Sequence, residues 1–131
     1  MNRILLDTNA YSEFRRGEDR VMDVLAESER VYVSVFVIAE LLYGFKGGSR
    51  ESKNCRELKA FLQKPTVRML HTSEDTADLF ATIKDQLRRK STKVPTNDIW
   101  IAAHCMEIGA VLVTFDRHFD RIEGLRQWHN T

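Results

Sequence analysis

The 131-residue sequence has two cysteines and four histidines, and neither type forms a disulfide or metal-binding pattern. Cys55 and Cys105 lie far apart and in no Cys-x-x-Cys pair, which argues against a disulfide framework and a cysteine-based zinc site. The histidines form no His-x-x-His or His-Glu-x-x-His pair, so a histidine-based metal site has little support. We therefore expect a protein with reduced thiols that works in the cytoplasm.

Long hydrophobic runs and an excess of charge of one sign are also missing. No apolar run is long enough to span a bilayer, and Asp7 and Glu13 interrupt the segment where a signal peptide needs continuous apolar residues. We expect neither export nor membrane insertion. Lys and Arg number 20 against 19 Asp and Glu, a balance that argues against a general polyanion binder but permits a local basic face.

The residues that are present are those of a folded globular domain. The sequence is 43% hydrophobic and 30% charged, which is ordinary for such a domain. Its length fits one hydrophobic core, and it shows no internal repeat or linker. We expect residues 1–131 to form a single domain.

Short apolar runs alternate with amphipathic segments along the chain. The apolar runs predict strands at residues 4–6, 31–33, 67–70 and 110–115, with a short edge strand at 125–128. Helical spacing of apolar residues predicts helices at 21–29, 35–45, 50–63, 73–90 and 98–108. Because helices separate the strands, the sequence predicts an α/β fold with helices on both faces of a parallel sheet.

Particular residues predict where these helices begin and end. Ser34 is placed to cap the helix after the second strand. Thr72 and Asp75 form a capping-box pattern, and Gly109 is expected to stop the helix before the fourth strand. Asp7–Asn9 follows the first strand and is expected to form a polar turn.

Four acidic residues stand where such a fold binds ligands, at the carboxyl ends of its strands. Asp7 ends the first strand, Asp116 follows the fourth, Asp98 opens a helix at the same edge, and Glu40 lies on the helix after the second strand. The topology can therefore bring together four carboxylates from distant parts of the chain. Taken singly, each also has a plain structural explanation, as a turn former, a helix-terminal charge or a solvated side chain.

A cluster of this kind indicates a metal-dependent reaction. Neighbouring carboxylates repel each other unless they hold a cation, and Mg²⁺ and Mn²⁺ prefer oxygen ligands. These ions activate water and neutralise the charge that develops on a phosphodiester. Phosphodiester cleavage is the reaction that such a cluster suits best.

Four motifs in order carry a family resemblance. Leu5–Asn9 resembles the opening LDTN motif of PIN domains, and Ile38–Gly44 resembles their xxExxxG motif. Asn97–Ala103 resembles the NDxxIAA motif, and Val113–Phe119 the closing TxDxxF motif. Because their order and spacing agree from end to end, the sequence resembles PIN domains, and the VapC toxins among them, over nearly its whole length.

This resemblance implies a three-layer α/β/α sandwich and a Mg²⁺- or Mn²⁺-dependent endoribonuclease. It implies that the enzyme is the toxin of a VapBC toxin–antitoxin pair, which inhibits translation by cleaving structured RNA, either tRNA or rRNA. It further implies a homodimer, a VapB-type antitoxin, and contact with operator DNA only through that antitoxin. The residues implied for catalysis and metal binding are Asp7, Glu40, Asp98 and Asp116. Those implied to support the ligands or orient substrate are Thr8, Asn9, Asn97 and Thr114.

One position departs from the family pattern. Phe115 stands where a polar residue is common in relatives, so whether Asp116 binds the metal directly is left open. Two basic groups, Arg15–Arg20 and Lys84–Lys93, either contact RNA phosphates or are solvated helix ends.

For the aromatic and histidine side chains near the motifs, a structural role is considered before a functional one. Tyr11 and Phe14 either line the groove or pack the first helix, and Trp100 is expected in the core or an interface. His104 is expected to be structural, and His118 to serve in packing.

Other functions fit the sequence less well. A phosphoacceptor receiver needs paired acids after the first strand, and a haloacid-dehalogenase-like phosphatase needs Asp-x-Asp there, whereas Asp7–Asn9 provides one carboxylate. A binding module without catalysis would not need the full acid set. A PIN nuclease of RNA processing or decay stays an alternative, although the short chain favours the toxin.

Overall fold

The computed structural model describes residues 2–130; the predicted domain limits, Met1 and Thr131, lie outside the described residues. Across residues 2–130 the chain forms four strands: β1 (Arg3–Leu6), β2 (Arg30–Ser34), β3 (Val67–Leu70) and β4 (Val111–Val113). The helices in the same range are α1 (Thr8–Arg15), α2 (Asp19–Glu27), α3 (Val35–Phe45), α4 (Glu51–Leu62), α5 (Glu74–Arg89) and α6 (Thr96–Ile108). Short 3₁₀ helices follow at Arg117–Arg121 and Trp128–Asn130.

The strands form one parallel sheet in the order β3-β2-β1-β4. In this register Leu6 lies beside both Val33 of β2 and Val113 of β4. The carboxyl ends of the three strands are therefore level at one edge of the sheet. The helices flank the sheet, which confirms the predicted α/β/α sandwich.

The core is built around strands that are apolar on both faces. Ile4, Leu5 and Leu6 are fully buried, as are Leu112 and Val113. Continuous burial without alternation is typical of a parallel sheet covered by helices. Among the described residues, none of the helices has the length and apolar character needed to cross a membrane.

Two helix starts are set by side chains that follow strands. Ser34 caps α3 as predicted, since its hydroxyl oxygen accepts a hydrogen bond from the Phe36 backbone N–H at 3.1 Å. The polar turn predicted at Asp7–Asn9 is wrong, because α1 begins at Thr8 and Asp7 is its N-cap. The helix dipole at α1 therefore points its positive end at the Asp7 carboxylate.

Other predicted boundaries shift. The capping box lies at Ser73 and Thr76, one residue later than predicted, because the Thr76 hydroxyl also donates to Glu107 on α6. Helix α6 begins at Thr96 rather than Asp98. Gly109 ends it as predicted, with φ of +66°. Strand β4 is shorter than residues 110–115, and 125–128 forms a single bridge to Leu112 instead of an edge strand.

The aromatic side chains of α1 pack inside the protein. The rings of Tyr11 and Phe14 lie 5.3 and 5.4 Å from that of Phe61 on α4. This arrangement supports the packing interpretation for both residues.

A second aromatic cluster joins three helices. Trp100 is half-buried and stacks on Phe36 at 5.1 Å and on Phe80 at 4.0 Å. His104, one turn further along α6, is fully buried with its Nδ1 atom 2.8 Å from the Ser34 hydroxyl. The structural role predicted for His104 is consistent with this contact.

Candidate metal centre

Asp7 lies at the middle of the sheet edge. It follows β1 directly, and its side chain is only 4% exposed. Its Oδ1 atom accepts a hydrogen bond from the Ala10 backbone N–H at 2.8 Å, and its Oδ2 atom accepts one from the Thr114 hydroxyl. Both carboxylate oxygens are thus held in place by the end of β4 and the first turn of α1.

Side-chain hydrogen bonds hold the loop after β4 in place. The Thr114 hydroxyl that donates to Asp7 also accepts from the Asp116 backbone N–H at 2.9 Å. Asp116 in turn accepts from the His118 backbone N–H at 2.9 Å through Oδ1. Thr114 therefore connects the Asp7 carboxylate to the position of Asp116.

Asp98 approaches this loop from the first turn of α6. The Nδ1 atom of His118 lies 3.3 Å from Asp98 Oδ2 and 3.0 Å from Asp116 Oδ1. One ligand atom from each of these three residues lies within 4.8 Å of the others. Such spacing allows the three side chains to share one cation.

Glu40 joins the group from α3. It is half-buried, and its Oε1 atom accepts a hydrogen bond from the Thr8 hydroxyl at 2.8 Å. Its charge also contributes to the raised pKa of Asp98. Thr8, the residue after Asp7, thus orients Glu40, an acid 32 positions further along the chain.

Burial and mutual repulsion raise the pKa values of two of these acids. Burial raises the pKa of Asp7 to about 6, against the opposing effect of its hydrogen bonds from Thr114 and Ala10, and the charges of Asp116 and Asp98 add to the rise. Burial also raises the pKa of Asp98, opposed by the His118 hydrogen bond and reinforced by Asp116 and Glu40. Without a cation, the folded protein therefore holds these negative charges at a cost.

The donor set fits a hard divalent cation. Carboxylate oxygens suit Mg²⁺ and Mn²⁺, and an imidazole nitrogen favours Mn²⁺ over Mg²⁺. A bound cation would also relieve the repulsion that raises the pKa of Asp7 and Asp98. The residues present therefore fit a metal of this kind.

His118 is the residue that the sequence analysis missed. Packing was predicted for it, and this was wrong, because its ring lies between Asp98 and Asp116 and is partly exposed. The signal was its position two residues after the last acid, in a turn where an Asp side chain commonly accepts from the backbone N–H two residues on. That local bond brings the ring back toward the acids.

The predicted supporting residues divide into two kinds. Thr8 and Thr114 each donate a hydrogen bond to an acid of the cluster. Asn9 and Asn97 are exposed, in the first turns of α1 and α6 respectively. For these two asparagines, orientation of substrate stays a prediction.

The basic groups are largely engaged in ion pairs on the surface. Arg15 pairs with Glu57, and Arg88 and Arg89 pair with Asp85. Solvated helix ends are therefore the better description of these positions. Arg20 differs from them, because its guanidinium group also lies over aromatic rings beside the cluster.

Comparisons with known proteins identify the family of the chain. Residues 4–125 match the PIN domain family. Ribonuclease VapC2 of Haemophilus influenzae is 31% identical over 129 residues, with 96% of each chain covered. The tRNA(fMet)-specific endonuclease VapC of Salmonella typhimurium is 28% identical over 129 residues, again with 96% of each chain covered. The structure of DNA-bound VapBC from Salmonella typhimurium is 28% identical with a TM-score of 0.82, over 97% of both chains. The chain therefore belongs to the PIN-domain family and, within it, to the VapC group.

Proposed function

We propose that residues 1–131 form one domain that cleaves RNA endonucleolytically with Mg²⁺ or Mn²⁺. The observation that carries this proposal is the grouping of Asp98, Asp116 and His118, whose ligand atoms lie within 4.8 Å of one another and which Thr114 links to the buried Asp7 carboxylate. The residues that would bind or support the metal are Asp7, Glu40, Asp98 and Asp116, with His118 beside them.

The chain's own residues have distinct parts in this reaction. When bound, a divalent ion in such a site lowers the pKa of water and neutralises charge on the phosphodiester. Asp7, fixed by Thr114 and Ala10, would provide a rigid carboxylate at the end of β1. Asp98 and Asp116 lie on either side of the His118 imidazole, whose Nδ1 atom would complete the donor set for the ion.

We propose that the enzyme is the toxin of a VapBC pair. Support comes from relatives named VapC ribonucleases and from the DNA-bound VapBC structure that this chain resembles. A VapB-type antitoxin would then be its partner and would contact the operator DNA. These matches favour the toxin over a role in RNA processing or decay.

We propose structured RNA as the substrate, either tRNA or rRNA, cleaved in the cytoplasm so that translation stops. One relative is named as specific for tRNA(fMet), which supports tRNA as the first substrate to test. Because the formal net charge of this chain is only +1, affinity must come from local contacts rather than from a general positive field.

We also propose a homodimer. The half-buried stack of Phe36, Phe80 and Trp100 lies where α3, α5 and α6 meet. A partly exposed aromatic cluster of this kind is well suited to an interface core. The mass of the purified protein in solution tests the assignment.

The test of the nuclease proposal compares two Asp-to-Asn variants. Asp98→Asn removes a carboxylate of the cluster, whereas Asp85→Asn removes one that pairs with arginines on the surface of α5. Purified proteins are incubated with total tRNA and rRNA, with Mg²⁺, with Mn²⁺ or with a chelator. We expect cleavage by the wild type and Asp85→Asn with either metal, and loss of cleavage in Asp98→Asn and with chelator.

Metal binding is measured separately by calorimetry. Asp98→Asn should bind Mn²⁺ weakly while keeping the melting temperature of a folded protein. Wild-type cleavage that persists in chelator, or in Asp98→Asn at the wild-type rate, contradicts the proposal.

A further inference from the structure

An exposed aromatic side chain lies within the loop that holds the acids. Phe115 stands between Thr114, which bonds Asp7, and Asp116, and it is 37% exposed. Its neighbours in sequence are both tied to the carboxylate cluster. The position of the ring is therefore fixed relative to the acids, although the ring itself adds little to the core.

Phe115 is part of a small aromatic and cationic group. The guanidinium carbon of Arg20 lies 5.3 Å from the centre of the Phe115 ring and 5.4 Å from that of Trp128. The two rings are perpendicular, with centres 5.3 Å apart. The Trp128 indole N–H donates to the Thr114 carbonyl oxygen at 2.8 Å, so this group is also fastened to the loop after β4.

Open cavities lie on two sides of this group. One, of about 480 Å³, is lined by Phe115 and Arg20 together with Asn9 of α1 and Arg16 just after it. The other, of about 450 Å³, is lined by Phe115 and Arg20 together with Asp116. Both volumes fall in the range of small-molecule sites, and the second cavity reaches the carboxylate cluster directly.

We propose that Phe115 and Arg20 form a nucleobase-binding subsite that positions the RNA strand for cleavage. This inference rests on the proposed nuclease function. A phosphodiester held at the carboxylates carries a nucleotide on each side, and one of these bases meets the adjoining cavity. RNA-binding proteins hold unpaired bases by stacking them on aromatic rings and on Arg guanidinium planes.

Arg20 is suited to recognise the edge of that base as well as its face. Its Nε atom donates to Glu18 Oε1 at 3.1 Å, which fixes the plane of the guanidinium group. The four N–H groups on its two terminal nitrogens then point away from Nε, with a geometry that suits a carbonyl or ring nitrogen of a base. Phe115 supplies the stacking surface that holds the base in place, and Arg20 contacts its edge, so the base preference depends on both side chains.

The test uses a pool of short single-stranded RNA of random sequence, together with total tRNA, and maps cleavage sites by sequencing. The wild type is compared with Phe115→Ala, Phe115→Leu and Phe115→Tyr, each checked by thermal melting. Met69→Ala serves as a control, because Met69 is an exposed apolar side chain on β3, at the far edge of the sheet.

We expect the wild type to prefer one base next to the cut bond. Phe115→Ala and Phe115→Leu should lose this preference and raise KM by about tenfold or more, with a smaller change in kcat, because a stacked base is lost. Phe115→Tyr should keep both properties, and Met69→Ala should match the wild type.

Binding gives a second measurement that does not depend on turnover. In the Asp98→Asn background, Phe115→Ala should weaken binding of the RNA pool by a similar factor. An abasic pool should bind equally well with or without this substitution.

The contrary outcomes are distinct. If the wild type fails to cleave any RNA with either metal, the nuclease proposal and this subsite fall together. If it cleaves and Phe115→Ala keeps its KM and base preference, the subsite alone is overturned. Retention of both in Phe115→Leu would overturn it as well, as would a Phe115→Ala variant that loses only inhibition by the antitoxin.

Discussion

Two buried polar pairs lie at neighbouring strand ends, and they behave in opposite ways. At the end of β2, the Ser34 hydroxyl lies 2.8 Å from His104, and burial lowers the pKa of that histidine. At the end of β1, Thr114 donates to Asp7, and burial raises the pKa of that carboxyl to about 6. The first pair is a contact between neutral groups, whereas the second contains a carboxylate that a nearby positive charge would stabilise.

The difference separates a structural site from a candidate functional one. Both pairs cap helices and both are buried, so burial and hydrogen bonding alone do not distinguish them. The distinguishing feature is the charge around Asp7, where Asp98 and Asp116 act on it together. An unfavourable arrangement of like charges at the end of a sheet is what points to a ligand.

The largest expected effect is that of Asp7→Asn on cleavage. We expect the rate to fall by about a hundredfold or more. Loss of a residue that only supports a metal ligand costs up to about a hundredfold, and loss of a ligand should cost at least as much. The same variant should be more stable than the wild type without metal at neutral pH. Raising the pKa of Asp7 from 3.8 to about 6 corresponds to about 3 kcal/mol of lost stability.

Urea denaturation in chelator measures this stability, and RNA cleavage assays measure the rate. Asp85→Asn is the matched control, because its carboxylate lies on the surface and pairs with Arg88 and Arg89. If Asp7→Asn lowers stability without metal, the carboxyl of Asp7 does not carry the electrostatic penalty.

The pH dependence of stability should differ between the two pairs. Asp7 binds protons more tightly in the folded state, so its contribution to stability falls as pH rises from 3.8 to about 6. His104 binds protons less tightly when folded, so its contribution falls as pH drops below 6.5. In chelator, the stability advantage of Asp7→Asn over the wild type should therefore grow as pH rises from 3.8 to about 6.

Saturating Mn²⁺ should reverse that order at neutral pH, because only the wild type gains the full binding energy of the metal. Denaturation curves at a series of pH values, with and without metal, provide the measurement. If the stability advantage of Asp7→Asn does not vary with pH, its cause is packing and not charge.

Ser34→Ala should weaken the structural pair. The substitution removes the cap of α3 and leaves the buried Nδ1 atom of His104 without its hydroxyl partner. We expect a loss of about 2 kcal/mol in unfolding free energy, with metal affinity unchanged. Ser73→Ala, which removes the more exposed cap of α5, is the control and should lose less. Equal losses in the two variants would show that the His104 contact adds nothing.

His118→Ala should have the smallest effect, on metal preference. Removing the nitrogen donor should weaken Mn²⁺ binding by about tenfold and Mg²⁺ binding by less, because imidazole suits Mn²⁺ better. Calorimetric titration of both metals measures the change. His71→Ala, an exposed histidine after β3, should leave both affinities as they are. Equal weakening of the two metals would make His118 a partner of the acids rather than a metal ligand.

The sequence predicts the fold well, and it also predicts which strand ends carry Asp7 and Asp116, because both follow from patterns along the chain. Continuous apolar runs such as Ile4–Leu6 identify buried parallel strands, and the parallel topology then places Asp7 and Asp116 at one edge. The family motifs supply Glu40 and Asp98, whose relation to each other no local pattern contains.

The missed features depend on contacts made in three dimensions. His118 reaches Asp98 only because the loop after β4 folds back on α6. The cap of α5 moves to Ser73 because Thr76 meets Glu107 across the helix pair. The aromatic and cationic group joins Arg20, near the start of the chain, to Phe115 and Trp128, near its end. Spacing in the sequence carries no information about such meetings.

The pairing of β1 with β4 has a consequence for how the protein is made. The bond between Thr114 and Asp7 joins residues 107 positions apart, and domains fold as their chains emerge during synthesis, N-terminal part first. A nascent chain carries Asp7 early but cannot hold its carboxylate against Thr114 until the last strand docks. Under the proposed function, the ribonuclease would therefore stay inactive until β4 and the loop after it are synthesised.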